Sequence, residues 1–324
     1  MIRKNQPRPL SLRISVTDRC QLSCVYCVPA KGDLPLLERS IVSFDEILNL
    51  VKMLQRVFGL SKIHLTGGEP LLRPRLSKLV EMISEHYAGE LALTTNGQLL
   101  ASMAKSLKVA GLNRVNVSLD SLAPDMFEKM SRGGQLQRTL DGIDAALAEG
   151  LTPVKLNVTV NKGYNDTELL QLADYGLQQG CEVRYLELMP IGCVQKDHNE
   201  LYFPTHQMRR LLEACYEFEA LPYALPASSR DFKVRDEQGN EGVIGFISSV
   251  SNPFCGGCRR FRLTSRGQLV LCLSSGRSAE VRHLLAEQSR ENEAVLKEII
   301  TGGVKSKLPV PVYKTKRTML SVGG

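Results

Sequence analysis

The sequence lacks the long apolar segments that membrane proteins need. It contains no uninterrupted apolar run of about 18 or more residues, the length expected of a membrane-spanning helix. Its start, MIRKNQPRPL, has no apolar core of the kind that a secretory signal requires. It also lacks an aromatic-rich basic stripe and the spacing of a zinc finger or a single-strand-binding protein. We therefore expect a cytoplasmic protein that associates with neither membranes nor nucleic acid.

Cysteine, by contrast, is plentiful. The chain has nine cysteines, and without a secretory signal these are expected to bind metals in a reducing compartment rather than to form disulfides. The net charge of +7 favours an anionic partner, and a nucleotide suits it better than nucleic acid does.

Three cysteines near the start form the strongest motif. Cys20, Cys24 and Cys27 have the spacing C-x3-C-x2-C, and the alternating apolar run Leu10–Val16 leads directly into them as a predicted strand. Three thiolates can hold three irons of a four-iron cluster and leave the fourth iron open to a small molecule. Structural zinc is the alternative, but a closed zinc site needs four ligands. The front cysteines therefore favour an iron–sulfur cluster.

Strands and helices alternate through the first two thirds of the chain. A capping box at Ser43 and Glu46 begins the first helix, and Asp166 is predicted to cap the helix after the fifth strand. Six strand–helix units predict an α/β fold with a parallel sheet, because parallel strands need helical crossovers. Six units are fewer than the eight of a closed barrel, so we expect a partial, open (βα)6 TIM-like barrel in residues 1–225. An α+β extension carrying a second cluster should occupy residues 226–324. The predicted strands are Leu10–Val16, Lys62–Leu65, Leu91–Thr94, Arg114–Ser118, Pro153–Val160 and Glu182–Leu188.

Polar and glycine-rich motifs follow four of these strands. They read Thr66–Pro70 (TGGEP), Thr94–Gly97 (TTNG), Ser118–Asp120 (SLD) and Met189–Gly192 (MPIG). All four would lie at the carboxyl ends of parallel strands, where barrel enzymes carry their active sites. Glycines allow the backbone to approach a ligand closely, and the carboxylate of Glu69 beside them can hold an ammonium group.

A second set of cysteines lies near the other end of the chain. Cys255 and Cys258 form a C-x2-C turn, and Cys272 follows after thirteen intervening residues. The segments 261–264 and 268–273 are predicted to form a hairpin that returns Cys272 to the turn. Zinc remains an alternative here, since this spacing resembles a zinc ribbon. The other three cysteines, Cys181, Cys193 and Cys215, are interpreted as packing residues.

Together these motifs resemble a known family. The cysteine motif and Tyr26 resemble the radical S-adenosylmethionine superfamily, and both cysteine sets with TGGEPLLR, TTNG, VSLD and VRYLELMPIG resemble its GTP 3′,8-cyclase family. The resemblance implies two [4Fe–4S] clusters, S-adenosylmethionine, and an electron donor such as a flavodoxin or ferredoxin acting on a monomer or homodimer. The implied reaction converts GTP to (8S)-3′,8-cyclo-7,8-dihydroguanosine 5′-triphosphate, the first step of molybdenum cofactor biosynthesis. A peptide-modifying radical enzyme and a non-catalytic metal-binding module are the alternatives.

The resemblance also assigns site residues. Gly323 and Gly324 at the end of the chain are implied to assist catalysis. One departure concerns His64, which stands where the family usually has arginine, so a phosphate contact there could be weaker or pH-dependent. The metal ligands are Cys20, Cys24, Cys27, Cys255, Cys258 and Cys272. The implied cofactor contacts are Tyr26, Gly67, Gly68, Glu69, Ser118 and Met189. The implied substrate contacts are Arg13, His64, Thr95, Lys155, Arg260 and Arg262.

Overall fold

A single mixed β-sheet forms the centre of the protein. The computed structural model describes residues 9–29, 41–223, 227–315 and 317–322. These residues contain twelve strands in one sheet, in the order β12-β11-β10-β1-β2-β3-β4-β5-β6-β9-β8-β7. The strands are β1 (Leu10–Ser15), β2 (Leu60–Thr66), β3 (Glu90–Thr95), β4 (Arg114–Ser118), β5 (Lys155–Val160), β6 (Glu182–Glu187), β7 (Tyr216–Ala220), β8 (Arg230–Asp236), β9 (Glu241–Ile247), β10 (Arg260–Leu263), β11 (Gln268–Val270) and β12 (Ser278–Glu280).

The first six strands pair in sequence order, and every pair is parallel. Helices connect them, as parallel neighbours require. This arrangement confirms the predicted α/β class. The α-helices are α1 (Phe44–Phe58), α2 (Leu76–Ser84), α3 (Leu100–Val109), α4 (Pro124–Ser131), α5 (Leu136–Ala148), α6 (Leu169–Gln178), α7 (His198–Leu201), α8 (Thr205–Leu212), α9 (Arg282–Leu285), α10 (Arg290–Lys305) and α11 (Met319–Val322).

Local sequence signals explain some helix starts but not others. The predicted capping box is present: Ser43 Oγ accepts from the Glu46 N–H, and the Glu46 carboxylate accepts from the Ser43 N–H. The prediction for Asp166 is wrong, because α6 begins after Glu168 without a side-chain cap. Asp166 instead accepts from the Gly163 N–H at 2.7 Å, so its carboxylate closes the preceding turn.

The apolar core lies between the sheet and its helices. Leu12 and Ile14 on β1, and Ile63 and Leu65 on β2, are fully buried and belong to the same cluster as the inner face of α1. These positions alternate along each strand, so the intervening residues face the opposite side of the sheet. That opposite, inner face carries the polar residues described below. No described helix is both long and apolar enough to cross a membrane.

The C-terminal part of the chain extends both edges of the parallel sheet. Strand β10 pairs parallel to β1, and β9 pairs parallel to β6. The predicted hairpin before Cys272 forms, with β10 antiparallel to β11, and a second hairpin pairs β8 antiparallel to β9. The predicted boundary at residue 225 falls on residues 224–226, which lie outside the described ranges.

Loops at the carboxyl ends of distant strands come together. The Cys193 thiol after β6 lies 3.8 Å from the Val25 carbonyl oxygen after β1. Four strands separate β1 from β6, so this contact indicates a curved sheet, in keeping with a partial barrel. The loops that follow β1, β2, β4 and β6 therefore surround a common site.

Candidate active site

The front cysteine loop leaves the end of β1 and turns sharply. Backbone N–H groups of Cys27 and Val28 both donate to the Cys24 carbonyl, at 2.9 and 3.1 Å. Burial raises the pKa of the Cys20 thiol to about 11 and that of Cys27 to about 12. Burial also raises the pKa of Cys24 well above its usual value, and the nearby Asp120 and the other two thiols raise it further. Neighbouring buried thiols of this kind become thiolates when a cationic metal centre binds, so this donor set fits an iron–sulfur cluster.

The two glycines after β2 pack against this loop. The Gly68 N–H donates to the Thr17 carbonyl at 2.9 Å, and the Glu69 N–H donates to the Arg19 carbonyl at 2.7 Å. A Cβ atom on Gly67 would lie 2.6 Å from the Thr17 carbonyl oxygen, closer than atoms tolerate. The absence of side chains at these glycines therefore allows the TGGEP loop to pack against the backbone that precedes the cysteines. This packing explains the glycines independently of any contact with a ligand.

Glu69 lies buried between these loops, with 1% of its surface exposed. Its Oε1 accepts from the Leu71 N–H at 3.0 Å and from Thr95 Oγ1 at 2.7 Å, and its Oε2 accepts from the Asn96 N–H at 2.8 Å. Burial raises the pKa of Glu69 to about 7, although the hydrogen bonds oppose the shift. Thr95, which was predicted to contact the substrate, is therefore one of the hydrogen-bond donors to Glu69.

Tyr26 reaches across the site to the loop after β4. Its hydroxyl donates to Asp120 Oδ2 at 2.5 Å, and Asp120 Oδ1 accepts from the Thr159 N–H at 2.8 Å. Burial raises the pKa of Asp120 to about 6. The other two predicted cofactor contacts, Ser118 and Met189, are partly buried at the ends of β4 and β6. Asp120 was part of the predicted SLD motif, but its link to Tyr26 was not foreseen.

Basic side chains gather on the inner face of the sheet. Arg13 is in register with His64 on one side and with Arg262 on the other. Burial lowers the pKa of Arg13 to about 10, and the charges of Arg260 and Arg114 lower it further. Burial lowers the pKa of Arg262 well below its usual value, and the charges of Arg13 and Arg260 lower it further. Cations that depress one another's pKa values form a site that a polyanion would stabilise.

His64 is neutral in these surroundings. Burial lowers its pKa well below 6.5, and Arg13 is the largest of several cations that lower it further. Its Nε2 lies 2.5 Å from Thr94 Oγ1. The lowered pKa indicates that His64 is uncharged in the nucleotide-free protein, because protonation would place another cation among buried cations. The pH dependence of a phosphate contact at His64 stays a prediction.

Further charged residues on this face were missed from the sequence. Lys155, which was predicted, forms an ion pair with Glu182. Arg184 lies 3.2 Å from Asp231, and Arg114 Nε lies 2.5 Å from Glu90. Residues two positions apart in a strand share a face, so the pairs at 62/64 and 182/184 could have indicated a polar face of the sheet from the sequence alone. The acidic partners fix these cations at the base of the site.

The back cysteines lie in an electropositive environment. The Cys258 N–H donates to the Cys255 carbonyl at 3.1 Å, which forms the predicted turn. Lys307 Nζ lies 3.3 Å from Cys258 Sγ and donates to the Arg260 carbonyl at 2.6 Å. Burial raises the pKa of Cys258, but the charges of Arg260 and Lys307 outweigh it and lower the pKa to about 7.

The third back cysteine lies near the first two. The Cys272 thiol lies 3.5 Å from Ser274 Oγ, and it contributes to the raised pKa of Cys255. Burial raises the pKa of Cys272, but hydrogen bonds from Ser274 and Ser275 outweigh it and lower the pKa. A thiol that ionises readily suits metal coordination. Within the described residues, no group of three or more His, Cys, Asp and Glu side chains is arranged to hold a metal ion.

The C-terminal segment crosses from the back site to the front site. The Lys314 N–H donates to the Ser274 carbonyl at 2.8 Å, near Cys272. Further along, Leu320 is buried and packs against Gly68, and its backbone N–H donates to the Cys27 sulfur. The predicted catalytic residues Gly323 and Gly324 lie outside the described residues.

Comparison with known proteins agrees with this geometry. A model of the radical SAM superfamily matches residues 14–176, and one described as Molybdenum Cofactor Synthesis C matches residues 181–310. Proteins named GTP 3′,8-cyclase from Hydrogenovibrio crunogenus and Pelotomaculum thermopropionicum are 38% and 39% identical to this chain. Both alignments cover 97% of this chain, and they cover 96% and 97% of those proteins.

A solved structure shares the fold. The crystal structure of Streptococcus suis SuiB bound to S-adenosylmethionine superposes with a TM-score of 0.66 at 14% identity, covering 92% of this chain and 68% of SuiB. At that identity the likeness concerns the fold alone. The near full-length identity to the cyclases carries the assignment, and the chain belongs to the GTP 3′,8-cyclase family of the radical S-adenosylmethionine superfamily.

Proposed function

We propose that this chain converts GTP to (8S)-3′,8-cyclo-7,8-dihydroguanosine 5′-triphosphate, the first step of molybdenum cofactor biosynthesis. The observation that carries the proposal is the opposite charge of the two ends of the site. Carboxylates of Glu69 and Asp120 act on the front thiols, whereas cations of Arg260 and Lys307 act on the back ones. S-adenosylmethionine is cationic at its sulfonium and GTP is a polyanion, so each ligand matches the charge of one end.

The front end is suited to S-adenosylmethionine. As a radical SAM protein, the chain binds this cofactor and a [4Fe–4S] cluster, and we assign the cluster to Cys20, Cys24 and Cys27. Glu69 would accept the ammonium group of the cofactor, and Gly67, Gly68, Tyr26, Ser118 and Met189 would line the rest of it. A cluster held there would supply the one electron that breaks the C5′–S bond of S-adenosylmethionine, giving methionine and a 5′-deoxyadenosyl radical. A flavodoxin or ferredoxin would supply that electron from outside.

The inner face is suited to the triphosphate. Guanidinium groups of Arg13, Arg260 and Arg262 can donate paired hydrogen bonds to phosphate oxygens. Lys155 lies on β5, in register with Glu182, and pairs with that carboxylate, so its ammonium would bind a phosphate only by sharing that partner. His64, being neutral, would contribute a hydrogen bond without charge. These residues bind and orient GTP so that its ribose faces the front end.

A second [4Fe–4S] cluster would occupy Cys255, Cys258 and Cys272. Three thiolates leave one iron of such a cluster without a protein ligand, and that iron can hold the guanine base. The lowered pKa of Cys258 supports thiolate ligation at this site. We also propose that Gly323 and Gly324 assist catalysis, since residues without side chains are best able to enter a narrow site that a nucleotide already occupies.

Anaerobic reconstitution tests this function directly. The purified chain is loaded with iron and sulfide, reduced, and incubated with S-adenosylmethionine and GTP. We expect about eight irons per chain, and 5′-deoxyadenosine together with a cyclised nucleotide. Formation of 5′-deoxyadenosine that ignores GTP, with no cyclised nucleotide, would reject the substrate. Iron and Mössbauer analysis that found one cluster and stoichiometric zinc would reject the second cluster.

A further inference from the structure

Glu187, the last residue of β6, is buried with 3% of its surface exposed, yet its carboxylate accepts five hydrogen bonds. It accepts from the N–H and the hydroxyl of Thr205, each at 2.9 Å. It also accepts from the N–H groups of Val250 and Ser251, each at 2.8 Å, and from the Ser251 hydroxyl. No function described above uses this carboxylate.

These donors lie on two different parts of the chain. Thr205 begins α8, which follows the MPIG loop after β6. Val250 and Ser251 belong to the segment 248–252, here called the back-site loop, which leads to Cys255. Glu187 itself lies two positions before Met189 at the front end. One carboxylate therefore joins the strand end that leads to a predicted cofactor contact, Met189, to the loop that leads to a back cysteine, Cys255.

The back-site loop has two further attachments. The Ser249 hydroxyl donates to the Glu187 carbonyl at 3.3 Å, and the Tyr313 hydroxyl donates to the Ser249 carbonyl at 2.5 Å. Burial raises the pKa of Glu187, but the hydrogen bonds from Ser251, Thr205 and Val250 outweigh it and lower the pKa. The group is therefore an anion at neutral pH, the state in which both of its oxygens act only as acceptors.

We propose that Glu187 is a positioning residue that fixes the back-site loop relative to the front end. This inference rests on the proposed function, because it concerns the distance between the radical source and the bound nucleotide. Hydrogen abstraction needs the reacting atoms in near contact, and displacement by about 1 Å can lower a rate about a hundredfold. A loose back-site loop would let the radical form without reaching its target.

The test is Glu187→Gln, measured as the ratio of 5′-deoxyadenosine formed to nucleotide cyclised. In this variant the amide NH2 would face N–H donors, so some of the hydrogen bonds to residue 187 are lost while the size of the side chain is kept. We expect the ratio to rise at least about tenfold, while Glu187→Asp, which keeps the charge, restores part of the coupling. A ratio equal to that of the unmodified protein would overturn the proposal.

Glu168→Gln is the matched control. Glu168 is also a buried carboxylate, but it accepts from the Ser121 hydroxyl and from the Leu122 N–H at 2.9 Å, donors of the loop after β4 and not of the back-site loop. The Glu168→Gln variant should lose thermal stability as Glu187→Gln does, but its ratio of 5′-deoxyadenosine formed to nucleotide cyclised should not change. If Glu187→Gln does not fold, Ser251→Ala is used in its place, because it removes one hydroxyl donor to Glu187.

A spectroscopic readout separates position from activity. With the front cysteines replaced by alanine, reconstitution loads the back site alone, and its reduced EPR spectrum is recorded with and without GTP. We expect Glu187→Gln to alter the GTP-induced change, and an identical change would contradict the proposal. If the unmodified protein forms no cyclised nucleotide, the proposed function fails, whereas an unchanged ratio in a cyclising protein rejects only the role of Glu187.

Discussion

Glu69 should make the binding of S-adenosylmethionine depend on pH near neutrality. Its pKa is raised to about 7 by burial, so the carboxyl group is half protonated at that pH. Three protein hydrogen bonds already occupy it, two at Oε1 and one at Oε2. A carboxylate offers about four acceptor positions, so one remains at Oε2. A proton and the cofactor's ammonium group compete for that position.

The size of the effect follows from the pKa. About nine tenths of the group is protonated at pH 6 and about one tenth at pH 8, so binding should be about tenfold weaker at pH 6. Equilibrium dialysis of the reconstituted protein at pH 6, 7 and 8 measures this directly. Glu69→Gln should bind more weakly at every pH and should lose most of the dependence.

The variant also serves as the control for other titrations. Protonation of the cofactor itself, and of Asp120 with its pKa of about 6, remains in Glu69→Gln. The difference between the two pH profiles therefore belongs to Glu69. If both proteins show the same slope between pH 6 and 8, Glu69 does not hold the ammonium group, and the argument from its free acceptor position is wrong.

Other substitutions address the remaining parts of the site. His64→Arg should lower the KM for GTP about tenfold, the worth of one charged hydrogen bond of about 1.5 kcal/mol, and by the same factor at pH 7 and pH 8.5. It should also lower the Tm of the nucleotide-free protein, because like charges about 5 Å apart repel by about 3 kcal/mol at an effective dielectric constant of 20. A KM gain that appears only above pH 7 would mean that His64 is protonated below it. Cys24→Ala should abolish 5′-deoxyadenosine formation, whereas Cys255→Ala should spare it and abolish cyclisation; loss of both products in each variant would deny separate roles. Gly324→Ala should retain both clusters and lose most cyclisation, and full turnover by a C-terminally tagged protein would exclude a role for the tail.

The sequence predicted the elements whose signals are local. The capping box of Ser43 and Glu46 is formed by neighbours in the chain, and the alternation along β1 depends only on residues within that strand. The α4 helix was missed because it is short, begins at Pro124 and has no side-chain cap. Asp166 failed as a cap because a nearby N–H group, that of Gly163, competed successfully for its carboxylate.

Features that depend on distant pairing could not be predicted. The hairpin after Cys258 was visible in the sequence, but nothing in it shows that β10 joins β1. Without that pairing, the proximity of Arg262 to Arg13 and the neutrality of His64 cannot be inferred, since both follow from packing across strands. Glu187 was equally hidden, because a glutamate at the end of a strand gives no indication of which backbone N–H groups will surround it.

The attachment of the C-terminal strands to both edges of the parallel sheet constrains how the chain is made. Ser11 on β1 pairs with Arg260 on β10, and β6 likewise pairs with β9, a strand that comes later in the chain. Until those strands leave the ribosome, both edges present unpaired backbone groups, which promote association with other chains. A product truncated near residue 225 should therefore aggregate, and synthesis must be nearly complete before the strand that leads into the front cysteines has both of its neighbours.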